Sequence, residues 1–305
     1  MQGNAISYLE ADKRYKVFRI KFNSLTELEL YLSQDPKVNT MVFSSQKSIF
    51  MPESFAGAPL SQAIRYCHGG YQKDFEIFLE MKKQLEKANV KASHYRRSVP
   101  AVVGSRPNVP NFIAGTPKTM YRLDRAKTKK FVDVYINLAY SGETTEEQIR
   151  NRGILVLNMI SLFEQNDIAV NLYAFEASCL YGEIFIADIR LKKPGEFINI
   201  GKCYYPLCGK EFLRRVLVRV KESMPFTERW GMGYGGVLPE DLVRLCMGID
   251  GDSILIRSPL EIGLKGEDIY EDADIFFNDL KLSDVIKVPK YSEYKRKLQD
   301  EQLRV

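Results

Sequence analysis

The residue types this chain has least of narrow its function first. It holds two histidines, His68 and His94, one tryptophan, Trp230, and five cysteines in 305 residues. A Ser or Cys triad needs a base within hydrogen-bond reach of the nucleophile. His68 falls at an expected helix end and His94 in a basic loop, so neither suggests that role. Cys203 and Cys208 are spaced like half of a zinc finger, but the histidines that could complete four ligands lie more than a hundred residues away. An odd, scattered set of cysteines argues against a secreted disulfide framework, and reduced thiols are expected. No apolar run approaches the roughly 20 residues that span a bilayer, and the opening MQGNAISYLEADKRYK has no signal-peptide apolar core. A cytoplasmic protein with no membrane contact is expected. The glycine-rich stretch Gly231 to Gly236 lacks the strand-to-helix setting of a dinucleotide fingerprint, and no Walker lysine accompanies it. No cofactor is implied, and the chain shows neither internal repeat nor low-complexity tract.

What is present is an ordinary globular composition, 45% hydrophobic with a formal net charge of +5. Organisation centres on Lys129 to Ser178. Phe131 to Ala139 reads as a buried strand, being β-branched and aromatic without a breaker. Thr144 with Glu147 fits a capping box opening a helix. Ile149, Gly153, Val156, Leu157, Ile160 and Phe163 then recur at helical spacing, with Glu146, Arg150, Arg152 and Glu164 on a wet side and Asn166 as the left-handed stop. Ile168 to Phe175 gives a second strand. Strand, helix and strand joined by short links predict parallel neighbours in an α/β sheet.

Around this unit, Tyr15 to Phe22 alternates as a half-exposed strand, Ser24 to Leu32 and Ser61 to His68 read as short helices, and, in the helical region Pro52 to Ala88, the stripe Phe75, Phe78, Leu79, Lys82 and Leu85 marks a longer amphipathic one. Ile184 to Leu191 and Asp252 to Ser258 are further strands. Gly209 to Met224 carries a basic helix with Phe212, Val216, Leu217 and Val220 inward and Lys210, Arg214, Arg215, Arg219 and Lys221 outward, a basic patch over residues 210–221. The expected divisions are an N-terminal α+β region (1–90), an ordered Pro/Gly-rich connector (91–128), an α/β domain (129–288) and a polar tail (289–305). The fold class is α/β, a mostly parallel sheet flanked by helices beside a smaller α-rich N-terminal region.

This order of elements resembles a von Willebrand factor A domain. Such domains place Asp-x-Ser-x-Ser after their first strand, offering Mg2+ a carboxylate and two hydroxyls. The matching stretch here is Asn137-Leu138-Ala139-Tyr140-Ser141, in which only Ser141 keeps a ligand of that kind. The resemblance therefore implies a degenerate version of the fold with no metal. Gly115-Thr116-Pro117-Lys118-Thr119-Met120, Asn151-Arg152-Gly153, Ser61-Gln62-Ala63 and Gly69-Gly70-Tyr71 resemble a family of uncharacterised phage-encoded proteins, over about residues 50 to 280. That resemblance brings no activity with it, and it makes the expected compartment a host cytoplasm.

The function expected is a non-enzymatic interaction or structural protein. Its protein partner would meet Asn137, Ser141, Thr144 and Trp230, because ligands of open α/β sheets gather beyond the carboxyl ends of strands. The alternative is a nucleic-acid-binding protein using Lys91, Arg96 and Arg97 together with Arg214, Arg215 and Arg219. A metal-dependent enzyme is the third reading.

Overall fold

The computed structural model describes residues 7–12, 15–43, 46–89, 98–104, 106–123, 130–228 and 236–288. In chain order its elements are β1 (Ser7–Asp12), β2 (Tyr15–Phe22), α1 (Leu25–Ser33), α2 (Lys47–Phe50), α3 (Glu53–Ala56), α4 (Leu60–Tyr66) and α5 (Phe75–Ala88). Next come β3 (Ser98–Ala101), β4 (Arg106–Pro107), α6 (Val109–Ile113), β5 (Met120–Leu123), β6 (Lys130–Asn137), α7 (Glu146–Gln165), β7 (Ile168–Leu180) and β8 (Glu183–Lys192). The last third holds α8 (Ile200–Cys208), α9 (212–222, π-helical over Phe212–Leu217), β9 (Gly236–Val237), α10 (Glu240–Met247), β10 (Ile254–Ile256), α11 (Pro259–Ile262) and α12 (Ile269–Asp279).

The main sheet runs β1-β2-β8-β7-β6-β10, with β9 added beside β7. Along that path β2/β8, β7/β6 and β6/β10 are parallel, while β1/β2 and β7/β8 are antiparallel. The sheet is thus mostly parallel and flanked by helices. β6 and β7 pair in parallel from Lys130↔Ile168 to Asn137↔Phe175, as a strand-helix-strand unit requires. β1 and β2 extend this same sheet. β2 is consequently buried rather than half-exposed: strands on both sides and packing on both faces enclose Val17, Phe18, Arg19 and Ile20.

Helix α7 departs from its expected wet side. Ile154, Leu155, Val156, Leu157, Met159 and Ile160 place apolar side chains all round the cylinder, and a helix of that kind needs cover on every side. The sheet covers one side; α5, α8 and α12 pack on the others. Arg152, expected to be solvated, is 1% exposed. Gly153 permits the α8 contact, since a β-carbon there would stand 2.4 Å from the Leu207 carbonyl oxygen and 2.5 Å from the Cys208 sulfur. The cap is Thr145 rather than Thr144, in a complete box with Gln148. At the other end the left-handed residue is Asp167 (φ 59°) rather than Asn166, whose side chain instead donates to the Leu162 carbonyl at 2.7 Å.

The opposite face of the sheet packs on α10 through Val17, Phe175, Ile184, Ile186, Val243 and Leu255. Arg19 ties the two together, donating to Asp188 at 2.7 Å and to the Met247 carbonyl at 3.2 Å at the negative end of α10. β3, β5 and β4 form a separate three-stranded sheet, in that order.

Candidate functional site

The carboxyl end of β6 is built from backbone bonds that consume the side chains expected to reach outward. Asn137 Oδ1 accepts from the Ala139 amide at 2.9 Å, and Ser141 Oγ accepts from the Glu143 amide at 3.2 Å. These local bonds, typical of Asn and Ser in turns, fold residues 137–144 tightly onto α7. Arg152 reaches the strand end from inside. Its Nη1 donates to the Asn137 carbonyl at 2.6 Å and to the Arg257 carbonyl at 3.1 Å, joining the ends of two adjacent parallel strands. Burial lowers its guanidinium to about 10. A fixed cation therefore stands beneath the strand end. Among the described residues no group of three or more His, Cys, Asp or Glu could hold a metal ion.

Helix α9 frames the outer rim, and its charges run inward. Arg214 donates to the carbonyls of Phe55 (2.7 Å) and Thr144 (3.1 Å), with its guanidinium 4.0 Å from the Phe55 ring. Arg215 donates to the carbonyls of Ser48 and Ile49 (3.1 Å each), Met51 (2.7 Å) and Gly57 (3.4 Å). Glu222 accepts from the Ser48 amide at 3.1 Å, and Lys210 Nζ donates to the Ser54 carbonyl at 3.1 Å while pairing with Glu146 at 2.9 Å. A guanidinium carries five donors in a rigid fork, so two arginines can satisfy the many carbonyls of a segment with little regular structure. Residues 48–58 are stapled down in this way. Gly57 is favoured there because its backbone, at φ 74° and ψ −155°, is one that residues with a β-carbon rarely adopt.

What this scaffold leaves outside is a small mixed rim. Ser141, Gly142 and Glu143 are exposed, the Phe55 ring lies beside Gly142, and Ile49 and Phe50 stand out nearby, Phe50 at 76% exposure.

The expected site residues divide accordingly. Ser141 is on the surface. Asn137 and Thr144 are buried and act on the rim only by shaping it. Trp230 lies outside the described residues. The outward orientation expected of Arg214, Arg215, Arg219 and Lys221 is corrected: all four are buried. Arg219 pairs with Asp35 at 2.7 Å, and Lys221 pairs with Glu176 beneath the helix, its ammonium pushed down by burial. Lys91, Arg96 and Arg97 lie outside the described residues. Cys203 and Cys208 belong to the helix core as free thiols, and burial pushes Cys203 up to about 12.

A family model matches residues 5–284. The chain belongs to the domain family of unknown function DUF7192. No curated protein and no solved structure matches it. The match spans β1 through α12, and so takes in the main sheet, the helices on both its faces and the small sheet. Sequence reasoning missed Arg152 as the interior bridge of this domain, although Asn151-Arg152-Gly153 carried a hint: two polar residues directly before a helix glycine, inside an otherwise apolar run.

Proposed function

We propose that this DUF7192 protein is a non-enzymatic interaction protein, encoded by a phage or mobile element and acting in the host cytoplasm, built on a degenerate von Willebrand A-like scaffold. Its protein partner docks on the rim formed by Ser141, Gly142 and Glu143 with Ile49, Phe50 and Phe55. One observation carries the reading. At the strand end where the resemblance would put a metal ion, Asn137 and Ser141 spend their side-chain oxygens on backbone amides, and the Arg152 guanidinium approaches from below. The strand order β8-β7-β6-β10, with α7 linking β6 to β7, supports the scaffold. The clamped segment 48–58 supports the binding role, because a rim already held rigid loses little entropy on association.

The test is affinity capture of the tagged full-length chain from its native cells, with cross-linking to locate the contact. A stable protein complex cross-linked near Glu143, and lost in a Phe50→Asp, Glu143→Arg double variant of unchanged melting temperature, is the expected result. A chain that captures no partner in any condition, or a complex indifferent to those changes, refutes the proposal.

A further inference from the structure

Two exposed apolar surfaces stand on this chain, and the charges beside them are of opposite sign. The first is the tip of the small sheet. β3 and β4 both run antiparallel to β5, so they run alike, and both reach Met120 at their last residues, Ala101 and Pro107. Val102 and Val103 continue past Ala101, and α6 continues past Pro107, so the exposed valines gather at one end with Phe112 (72%) and Ile113 (79%). The tip is a built structure: the Asn108 amide donates to the Thr119 carbonyl at 2.8 Å, and Asn111 Nδ2 donates to the Lys118 carbonyl at 2.9 Å. Residues 98–123 hold Arg106, Lys118 and Arg122 and no acidic residue. Arg106 and Lys118 are exposed and enter no ion pair among the described residues.

The second surface is the rim beyond β6. Ile49, Phe50 and Phe55 are its exposed apolar groups, and Arg214 joins its two segments through the carbonyls of Phe55 and Thr144. Residues 48–58 and 141–147 hold Glu53, Glu143, Glu146 and Glu147 and no cation. The cations that reach this rim from beneath are already committed. Lys210 pairs with Glu146 and donates to the Ser54 carbonyl, while Arg214 and Arg215 donate to backbone carbonyls. Glu53 and Glu143 are exposed and have no ion-pair partner among the described residues.

We propose that the rim's partner is a second copy of this chain, whose small-sheet tip seats on the rim; the inference rests on the docking role given to the rim above. Each surface has the anatomy of a protein interface, an apolar centre with charge beside it. The signs decide how two copies meet. Tip against tip would set Arg106 and Lys118 against their equals, rim against rim would set carboxylate against carboxylate, and like charges brought together suppress a pairing. Tip against rim brings cations to carboxylates and apolar groups to apolar groups. Both surfaces are exposed on the same chain, so the tip is not seated on its own rim. A contact between unlike surfaces is heterologous, and it repeats from copy to copy into a ring or an open filament. Both surfaces are held in place by their own hydrogen bonds, which leaves little to be ordered on contact.

Sedimentation velocity of the purified full-length chain over a range of concentrations tests this. Species larger than a monomer, growing with concentration and receding as salt rises, are expected. A Phe112→Ser, Ile113→Ser tip variant and a Phe50→Asp, Glu143→Arg rim variant should each associate about tenfold or more weakly, with melting temperatures unchanged at dilutions where the chain is monomeric. Mixed together, the two variants should form a dimer and nothing larger, because the mixture keeps one working rim and one working tip. A wild-type chain that is monomeric at every concentration, a variant that associates as the wild type does, or a mixture that yields no dimer each overturns the proposal. A monomeric chain whose rim captures a different protein overturns this inference and leaves the docking role standing. Association that ignores the rim changes removes both.

Discussion

Helix α9 and the stretch carrying the small sheet are both rich in cations, and they put them to opposite uses. In α9 the positive groups point into the protein, where Arg214 and Arg215 satisfy the carbonyls of residues 48–57 and Lys221 meets Glu176 under the sheet. Around β3, β4 and β5 the exposed cations among the described residues are Arg106 and Lys118, beside an uncovered apolar tip. Charge content alone therefore says little about where a charge acts. The difference lies in what surrounds it: α9 alternates its cations with Phe212, Val216, Leu217 and Val220 and has a polar segment to hold, whereas the stretch from 87 to 123 contains no acidic residue of its own.

The sharpest way to break this contrast is at Lys221. Replacing it with Met leaves Glu176 buried without its partner, and breaking a buried pair costs about 3–5 kcal/mol. Urea unfolding should show that loss as a lower midpoint. A Lys221→Met, Glu176→Leu double variant should recover most of it, because two apolar groups of similar volume remove the charge burial altogether. Recovery in the double variant separates a buried pair from a surface cation, for which the single change would cost less than about 1 kcal/mol.

Gly153 tests the packing that forces α7 inside. Gly153→Ala gains helix propensity but drives a methyl against the Leu207 carbonyl and the Cys208 sulfur, so overpacking wins and a net loss of about 1–3 kcal/mol is expected in the same unfolding assay. A smaller effect comes from the cap that orders the rim. Thr145→Ala removes the hydroxyl that accepts from the Gln148 amide at 3.2 Å, and should cost about 1 kcal/mol. Thr144→Ala should cost no cap energy, since the Thr144 hydroxyl caps nothing among the described residues.

These positions also show what the sequence made legible. The parallel pairing of β6 and β7 was readable because two uninterrupted β-branched runs flank a capped, periodic helix, and local propensity agreed with tertiary need. The interior position of Arg152 was not, because helical periodicity treats every arginine as solvated and cannot see that α8 covers the second side of α7. The inward turn of Arg214 and Arg215 was hidden for a related reason. All but one of their acceptors are carbonyls of residues 48–57, more than 150 positions away, the other being the Thr144 carbonyl, and none has a side-chain signature. At the strand end the loss of Asp-x-Ser-x-Ser was plain, but the reuse of Asn137 and Ser141 as turn formers follows only from backbone geometry.

The smallest effect on stability is expected at the tip, and it decides whether the two basic regions differ in kind. Phe112 and Ile113 are mostly in water in the folded chain, as they would be on unfolding, so Phe112→Ser and Ile113→Ser remove little burial and should shift stability by no more than about 0.5 kcal/mol. Lys118→Ala should be equally silent. Arg215→Ala, by contrast, strands the buried carbonyls of Ser48 and Gly57, each of which costs about 1–3 kcal/mol when left unsatisfied, and frees the part-buried ones of Ile49 and Met51. If differential scanning calorimetry found the tip variants as damaging as Arg215→Ala, the apolar side chains at 102–113 would be part of a folded interface, and the distinction between an inward and an outward basic region would fail.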